Sequence, residues 1–315
     1  MSRIVVALGG NALGNTPAEQ KDAVKITAST ITDLIEQGHE VVVGHGNGPQ
    51  VGMISLAFDE AGQSNDKVPY MPLACAGSMT QGYIGLDLQQ AIKNELSSRG
   101  INKDVVSLIT EVEISESDPS LQNPSKPIGS FYTEEEAKAL AADKGWTVAE
   151  DSGRGWRRMV PSPKPVNIIQ KDVIVTLLEA GKVVIAGGGG GIPTLIKDGQ
   201  MTSVDAVIDK DFTTQKIAEL INADTFMIVT AVDGIAVNYG KENERWLTTP
   251  SIAFLEERIA GGEWPAGSMM PKVIAAVNFA KTGEDKESII TSLEMAKKAA
   301  EGTAGARIKL SNEEV

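Results

Sequence analysis

Apolar residues along the chain fall into short runs that alternate with longer segments of helical spacing. Arg3 to Leu8 has the pattern of a buried strand, and Val41-Val42-Val43 forms a second such run. Between them, residues 17–37 carry apolar side chains at helical spacing, and Gly38 follows as a residue typical of a helix end. Two strand–loop–helix units in close succession predict an α/β protein with a parallel sheet. Its ligands are expected beyond the carboxyl ends of the strands.

The same alternation continues to the end of the chain. Further helices are predicted at 53–61, 78–96, 171–180, 212–221, 250–259, 267–281 and 293–300, and further strands at 105–110, 183–186, 225–230, 288–291 and 307–310. For the helix at 250–259, Thr249 is the predicted N-cap and Pro250 the first helical residue. The sequence contains no repeat of long period.

Three glycine-rich loops follow predicted strands. They are the segments Gly9 to Gly14, Gly44 to Gln50 and Gly187 to Gly191, the last being five consecutive glycines. Glycine backbones bring N–H groups against an anion without side chains in the way, as phosphate-binding loops do. A flexible linker is the alternative for the five-glycine run. Its position between a buried strand and a hairpin-like segment favours an anion-binding loop.

Lysines at two predicted helix starts also indicate an anion. Lys210 lies between Asp209 and Asp211, where carboxylates are favourable with the helix dipole and a lysine is not, unless an anion faces it. Lys272 lies in the first turn of a helix whose predicted N-cap is Ser268. Removing the Lys272 charge is therefore expected to leave the empty protein as stable or slightly more stable. A solvated turn with a local ion pair is the other interpretation of the residues around Lys210.

Segment 111–165 differs from the rest of the chain. It is polar, rich in Pro and Ser, and without steady periodicity. It contains Lys126 and the densest basic cluster of the sequence, Arg154-Gly155-Trp156-Arg157-Arg158. We interpret the segment as an inserted subdomain or lid that moves as a unit and delivers Lys126 on closure. Each arginine alone also fits a solvated hairpin.

Composition narrows the classes of function. The 315 residues suffice for one large or two medium domains, and the net charge of -13 argues against nucleic-acid binding, which needs a basic face. No segment approaches the roughly 20 apolar residues that a membrane helix needs. The single cysteine, Cys75, cannot form an intrachain disulfide, which suits a cytoplasmic protein. Cys75 is expected to be buried as a small hydrophobe.

Common templates for catalytic chemistry are absent. The lack of a G-x-x-x-x-G-K-[ST] segment excludes a P-loop enzyme, and the lack of G-x-G-x-x-G after a strand disfavours a dehydrogenase. The two histidines, His39 and His45, have no metal-binding or triad pattern. Glycine loops with Lys126, Lys210 and Lys272 suit phosphoryl transfer, where enzymes contribute mainly positioning and charge. Without a candidate general base, the acceptor is expected to be of carboxylate type, since such a group is already an anion at neutral pH.

Eight segments together resemble carbamate kinase, and the resemblance covers essentially the whole chain. The segments are Gly9-Gly10-Asn11-Ala12-Leu13, Gly46 to Gly52, Lys126-Pro127-Ile128-Gly129, Arg154-Gly155-Trp156-Arg157-Arg158, Ala186 to Pro193, Val207 to Asp211, Thr230-Ala231-Val232-Asp233 and Gly267 to Lys272. Each is a weak signal alone, and their combination is highly specific.

The resemblance implies the amino-acid-kinase fold, an open three-layer αβα sandwich with a mostly parallel central sheet and a small protruding subdomain. It divides the chain into an N-terminal lobe for carbamate and phosphate, residues 1–222 with the inserted lid at 111–165, and a C-terminal nucleotide-binding lobe, residues 223–315. The implied reaction is ATP + carbamate ⇌ ADP + carbamoyl phosphate, with Mg²⁺, in a cytoplasmic homodimer. The implied use is ATP formation from carbamoyl phosphate in arginine metabolism.

The resemblance also implies roles for residues at matching motif positions. Lys210 and Lys272 would stabilise the transferring phosphoryl group, with Asp211 organising them and Lys126 reaching in from the lid. The loop residues that would hold carbamate and phosphate are Gly9, Gly10, Asn11, Gly46, Asn47, Gly48, Gly188, Gly189 and Gly190. The residues that would contact the nucleotide are Ala231, Val232, Asp233, Tyr239, Ser268, Met269 and Lys272.

Other functions stay open as alternatives. The first is a kinase of the same fold that acts on acetylglutamate, glutamate, aspartate or a nucleoside monophosphate. Relatives with amino-acid substrates usually carry Lys-x-Gly-Gly on the first strand, whereas this chain has Ala7 there and Lys210 as the expected substitute. The second is a catalytically inactive nucleotide-binding protein, which is expected to lose some of the three lysines.

Overall fold

The chain folds into an α/β structure, which a computed structural model describes for residues 2–14, 16–151 and 153–313, apart from the side chains of Asn11 and Gln63. The strands are β1 Arg3–Leu8, β2 Glu40–His45, β3 Val105–Ser107, β4 Glu111–Glu113, β5 Lys126–Tyr132, β6 Thr147–Glu150, β7 Trp156–Val160, β8 Asn167–Ile168, β9 Val183–Ile185, β10 Ile192–Lys197, β11 Gln200–Ser203, β12 Thr225–Thr230, β13 Ile235–Val237, β14 Arg245–Leu247, β15 Glu287–Ser292 and β16 Ala306–Lys309. The helices are α1 Pro17–Glu36, α2 Gly48–Ser64, α3 Leu73–Ser98, α4 Glu134–Lys144, α5 Lys171–Glu179, α6 Lys210–Leu220, α7 Ile252–Ala260, α8 Met269–Ala280 and α9 Ala296–Ala300.

The central sheet has the strand order β16-β15-β12-β1-β2-β9-β3. Neighbouring strands run parallel except for β15 and β16, which pair antiparallel. The mostly parallel sheet that the strand–loop–helix units predict is therefore confirmed.

Side chains along β1 alternate between the two faces of the sheet, because successive residues of a strand point to opposite sides. Val5 and Ala7 pack with α5, α6, α7 and α8 in one hydrophobic cluster, whereas Ile4, Val6 and Leu8 pack with α1, α3 and α9 in another. Since helices cover both faces, the strand is apolar from Ile4 to Leu8. This arrangement is the three-layer αβα sandwich that was expected.

The start of α7 differs from the prediction. The N-cap is Ser251 rather than Thr249, and its hydroxyl accepts a hydrogen bond of 3.2 Å from the Phe254 N–H. The helix therefore begins at Ile252, and Pro250 precedes it instead of occupying its first position.

The helix α3 begins at Leu73, before the expected residue 78, and its buried side chains include Ala76 and Thr80 at helical spacing. Cys75 lies one position before Ala76 and is exposed, so the expectation of a buried cysteine is wrong.

Although α3 runs for 26 residues, neither it nor another helix in the described residues is long and apolar enough to cross a membrane.

Segment 111–165 contains ordered strands and a helix despite its aperiodic sequence. Its first strand, β4, joins the β10–β11 hairpin and β8 in a four-stranded sheet. The strands β5, β7 and β6 form a separate antiparallel sheet that packs with α4. The start of α4 is a capping box, in which the side chains of Thr133 and Glu136 bond each other's backbone N–H. We call the unit of β5–β7 and α4, residues 126–160, the protruding subdomain.

Candidate active site

The carboxyl ends of β1, β2 and β9 lie at one edge of the central sheet, so the three glycine loops meet there. They border a first cavity of about 340 Å³, which is also lined by the starts of α6 and α8 and by β5. The loop residues that line this cavity are Gly10, Gly46, Asn47, Gly48 and Gly189. Gly9 is buried nearby, and its N–H donates to the Val229 carbonyl at 2.9 Å. The side chain of Asn11 lies outside the described part of the chain.

The five-glycine run forms a 3-10 turn, Gly188–Gly190, whose middle residue lines the first cavity. Gly188 and Gly190 are buried instead. A Cβ on Gly188 would come within 2.4 Å of the His45 ring, and one on Gly190 within 2.0 Å of the Ile208 carbonyl oxygen. The run therefore provides close packing as well as a cavity wall, and the anion-loop interpretation did not include that packing.

The second glycine loop runs directly into α2, which begins at Gly48 instead of the expected residue 53. Pro49 lies in its first turn, where proline has a helical φ and no N–H to satisfy, which explains the early start. Asn47 is the N-cap residue, but its side chain donates from Nδ2 to Thr80 Oγ1 at 2.8 Å rather than capping the helix. The positive end of the α2 dipole thus lies at the cavity wall.

Two lysines of the first cavity share one buried carboxylate. Lys210 Nζ lies 2.6 Å from Asp211 Oδ1, and Lys272 Nζ lies 3.1 Å from Asp211 Oδ2. The Asp211 side chain is 2% exposed, while those of Lys210 and Lys272 are 13% and 14% exposed. Each carboxylate oxygen therefore fixes one ammonium group at the same cavity. We call these three residues the Asp211 cluster.

The Asp211 cluster changes the expectation for Lys272. The sequence places this lysine at the start of α8 without a partner, but its Nζ also donates to the Ser268 carbonyl at 3.0 Å in addition to the Asp211 pair. Ser268 is the N-cap residue, although its side chain makes no capping bond. Removing Lys272 would therefore destabilise the empty protein, because a buried carboxylate would lose one of its cations.

A second ion pair joins the protruding subdomain to the same cavity. Lys126, the first residue of β5, has its Nζ 2.8 Å from Asp209 Oδ2. Asp209 is the N-cap of α6, and its Oδ1 accepts a hydrogen bond of 3.0 Å from the Asp211 N–H. Burial acts to raise the pKa of Asp209, but the charge and hydrogen bond of Lys126, the hydrogen bond from the Asp211 N–H and the charge of Lys210 together hold that pKa below its usual range. Asp209 therefore stays ionised at neutral pH and keeps Lys126 at the cavity.

His45, at the end of β2, is buried next to the site and does not line the first cavity. Its Nδ1 lies 2.8 Å from the Gly46 carbonyl oxygen. Burial lowers the pKa of His45 to about 4, against the effect of the Gly46 bond and in the same direction as the charge of Lys210. His45 is therefore neutral at pH 7, and its bond to the loop backbone supports a structural role.

A second cavity, of about 260 Å³, adjoins the first one at the start of α8. Ser268 and Lys272 line both cavities. Of the other residues predicted to contact a nucleotide, Asp233 is not part of the lining. Those that do line the second cavity are Ala231, Val232, Tyr239 and Met269.

Sequence reasoning missed several residues of the two cavities. Trp246 lines the second cavity and meets Tyr239 edge-on, with the ring centroids 6.1 Å apart. Trp264 lines it as well and donates from Nε1 to the Ala236 carbonyl at 2.7 Å. Arg157 lines the first cavity, although the sequence identified it only as part of a basic cluster. The two tryptophans lie in no recognisable motif. The only feature of the sequence that could have drawn attention to them is that tryptophan is rare, with 4 in the chain.

Known proteins are similar in sequence to this chain over nearly its full length. A model of the amino acid kinase family matches residues 2–292. The chain is 52% identical over 303 residues to the carbamate kinase-like protein YqeA of Escherichia coli (strain K12), covering 96% of this chain and 97% of that protein. It is 49% identical over 311 residues to the carbamate kinase of Pyrococcus furiosus, covering 97% and 98% respectively.

A solved structure agrees with the sequence comparisons. The carbamate kinase from Giardia lamblia bound to AMP-PNP superposes with a TM-score of 0.91 and 40% identity, covering 98% of each chain. This similarity extends over both layers of helices and the sheet between them. The chain therefore belongs to the amino acid kinase family and, within it, to the group of the carbamate kinases.

Proposed function

We propose that this protein is a carbamate kinase, which catalyses ATP + carbamate ⇌ ADP + carbamoyl phosphate. The observation that carries the proposal is the Asp211 cluster, in which two lysines are held by one carboxylate where two cavities adjoin. Phosphoryl transfer needs fixed positive charge at the transferring group more than covalent chemistry by the protein. The cluster provides that charge, and the two cavities provide room for two substrates.

In the proposed reaction, carbamate lies against the glycine loops of the first cavity, and the nucleotide lies in the second. A carbamate oxygen attacks the γ-phosphorus of ATP, the bond to the bridging oxygen breaks, and its electron pair leaves with ADP. Lys210 and Lys272 stabilise the charge on the transferring group, and Asp211 keeps both ammonium groups in position. Lys126 contributes a third positive charge from the protruding subdomain.

The proposed reaction requires no protein base. Carbamate is a carboxylate-type anion at neutral pH, so its oxygen needs no deprotonation before it attacks phosphorus. His45 is neutral at pH 7, outside the cavity lining and bonded to the Gly46 backbone, which supports this part of the proposal.

We propose that Mg²⁺ enters the site with the nucleotide. The carboxylates that line the first cavity, Asp209 and Asp211, are already paired with lysines. The residues that the structure describes contain no group of three or more His, Cys, Asp and Glu side chains that could hold a metal. This fits Mg²⁺, which usually keeps several waters and binds mainly through substrate phosphates. When bound, Mg²⁺ would neutralise phosphate charge alongside the three lysines.

Amino-acid substrates are not favoured. Ala7, at the position where relatives with such substrates carry lysine, is fully buried in the core. Lys210 reaches the same region from α6, since its Cδ would lie 3.4 Å from a Cβ built on Gly46. We infer that Lys210 supplies, from α6, the positive charge that a lysine on the first strand supplies in those relatives.

We also propose that the enzyme is a homodimer that acts in arginine metabolism. Met79 and Leu86, one heptad apart on α3, are 40% and 51% exposed, so one face of this helix leaves apolar area uncovered in a single chain. Sedimentation velocity tests the dimer, and a species of 33.3 kDa, the mass of one chain, would contradict it.

The decisive experiment measures ATP formation from ADP, Mg²⁺ and carbamoyl phosphate. Acetylglutamyl phosphate and aspartyl phosphate serve as parallel donors, because the alternative kinases of this fold use the corresponding acids. Turnover with carbamoyl phosphate alone supports the proposal. Turnover with one of the other donors and none with carbamoyl phosphate would refute it.

A further inference from the structure

Asn47 is held by two neighbours at the wall of the first cavity. Its Nδ2 donates to Thr80 Oγ1 at 2.8 Å. Its amide also lies against Gly189, where a Cβ would come within 2.2 Å of Nδ2. Asn47 and Gly189 line the cavity, whereas Thr80 is fully buried on α3. Glycine at position 189 therefore leaves room for the Asn47 side chain, and Thr80 anchors it.

The Thr80 hydroxyl determines which end of the Asn47 amide faces it. Thr80 Oγ1 lies 2.6 Å from the Gly77 carbonyl oxygen, and two oxygens at that distance have a proton between them. A carbonyl has no proton to give, so the Thr80 proton is committed to Gly77 and only lone pairs remain for Asn47. Asn47 therefore turns its NH₂ group to Thr80.

The other end of the amide, Asn47 Oδ1, remains as a hydrogen-bond acceptor. Within the described part of the chain, Oδ1 has no hydrogen-bond donor and is not sealed from solvent. The carboxylates of the cavity, Asp209 and Asp211, are already bonded to lysines. The lysines recognise negative charge, whereas a free acceptor recognises an N–H group. The cavity thus combines the features needed for a ligand that has both.

We propose that Asn47 Oδ1 accepts a hydrogen bond from the carbamoyl amino group and that Thr80 is the positioning residue that keeps Oδ1 available to the substrate. This inference rests on the proposed carbamate kinase function. It identifies how the site separates carbamate from a carboxylate of the same shape, because a carbamoyl NH₂ donates a hydrogen bond and a methyl group does not.

Carbamoyl phosphate and acetyl phosphate form a matched pair of probes, since they differ only by NH₂ in place of CH₃. ATP formation gives kcat/KM for carbamoyl phosphate, and competition gives the inhibition constant of acetyl phosphate. For Thr80→Val we expect kcat/KM for carbamoyl phosphate to fall by about 3- to 10-fold, the range for one neutral hydrogen bond, while the acetyl phosphate constant and the KM for ADP change by less than about twofold. Thr80→Ser keeps the hydroxyl and should restore the wild-type values.

The matched control is Thr194→Val. Thr194 is also fully buried and donates to a carbonyl, that of Ile192 at 3.0 Å, but it lines neither cavity. The assignment would be overturned if Thr80→Val changed the kcat/KM for carbamoyl phosphate and the inhibition constant of acetyl phosphate by the same factor, or changed neither. A Thr80→Ser variant with the kinetics of Thr80→Val would overturn it as well. A wild-type protein that forms no ATP from carbamoyl phosphate would instead refute the proposed function itself.

Discussion

The Asp211 cluster and the Lys126–Asp209 pair both hold lysines at the first cavity, but they are built differently. The cluster lies within the main body, its carboxylate is 2% exposed, and one aspartate holds two lysines. The Lys126–Asp209 pair joins the protruding subdomain to the main body, and its side chains are 33% and 17% exposed. Charges with less solvent around them interact more strongly. We therefore expect the cluster to be a fixed source of charge and the pair to be a weaker contact that responds to subdomain movement.

The largest effect is expected when the cluster loses its carboxylate. Asp211→Asn would leave two poorly hydrated ammonium groups without a counter-ion, so we expect kcat to fall by about 10³ and the free energy of unfolding to fall by about 3–5 kcal/mol. Steady-state kinetics and urea unfolding measure the two effects.

A carboxylate elsewhere provides the control for Asp211→Asn. Glu287 is 11% exposed and also pairs with two cations, Arg307 and Lys309, but it lines neither cavity. Glu287→Gln should reduce stability and leave kcat unchanged. If both variants lose stability and neither loses activity, the Asp211 cluster is only a structural element.

The next largest effect is expected at Lys272. Lys272→Ala should lower kcat by roughly 10²–10³, the scale for one lost charge-stabilising donor, and destabilise the protein by about 1–3 kcal/mol, because Asp211 keeps Lys210 but loses one charged hydrogen bond. Lys272→Arg should restore little activity, since a planar fork does not replace a point charge.

Lys281, at the other end of α8, supplies the control. It is 48% exposed and pairs with Glu256 away from both cavities. Lys281→Ala should keep wild-type kinetics in the same assay. A Lys272→Ala enzyme that melts several degrees lower yet turns over normally would remove Lys272 from the proposed site.

A smaller effect is expected at Lys126. Because this pair is more exposed than the cluster, we expect Lys126→Ala to lower kcat/KM for carbamoyl phosphate by about 10- to 100-fold, and stability by less than about 1 kcal/mol. Lys138→Ala, which removes an exposed lysine of the same subdomain, should change neither.

Hydrogen exchange tests whether the protruding subdomain moves as a unit. We expect amides of β5, β6, β7 and α4 to gain protection together when ADP and carbamoyl phosphate bind. Unchanged protection across residues 126–160 would contradict the lid interpretation and leave Lys126 as a static residue.

The smallest effect on turnover is expected at His45, which belongs to neither ion pair. His45→Asn should lower kcat by much less than the roughly 10³ of a lost general base.

The pKa of His45 is lowered from 6.5 to about 4 in the folded protein, so the unfolded chain binds the extra proton between these values and stability falls as the pH drops through this window. The full shift corresponds to about 3 kcal/mol at low pH, which His45→Asn should remove from the pH dependence of unfolding. A wild-type stability curve that is flat from pH 7 to pH 4 would contradict the buried neutral histidine.

The layers of the fold were predictable because they depend on local patterns. β1 contains the apolar run from Ile4 to Leu8 and β2 the run from Val41 to Val43, and α1 has apolar residues at helical spacing followed by Gly38. The starts of α2 and α7 were missed because each lies next to a proline, and the sequence alone does not tell whether a proline lies before a helix or inside its first turn.

The sequence predicted which residues belong to the candidate site, but it did not predict which residues they pair with. Glycine loops and helix-start lysines are visible in the sequence, so Lys126, Lys210 and Lys272 were identified. That Lys126 pairs with Asp209, 83 residues away, depends on the docking of the protruding subdomain, which no local pattern encodes. Trp246 lies in the short strand β14, and it reaches the second cavity only through tertiary packing.

The lysine that lines both cavities makes the two binding equilibria interdependent. In the proposed binding mode, an anion in the first cavity and a nucleotide in the second share the charge of Lys272, so occupancy of one cavity alters the electrostatic potential felt in the other. By thermodynamic linkage, the factor by which carbamoyl phosphate changes the affinity for ADP equals the factor by which ADP changes the affinity for carbamoyl phosphate. In this binding mode, one shared ammonium group thus links the affinities of the two ligands directly, in addition to any linkage through movement of the protruding subdomain.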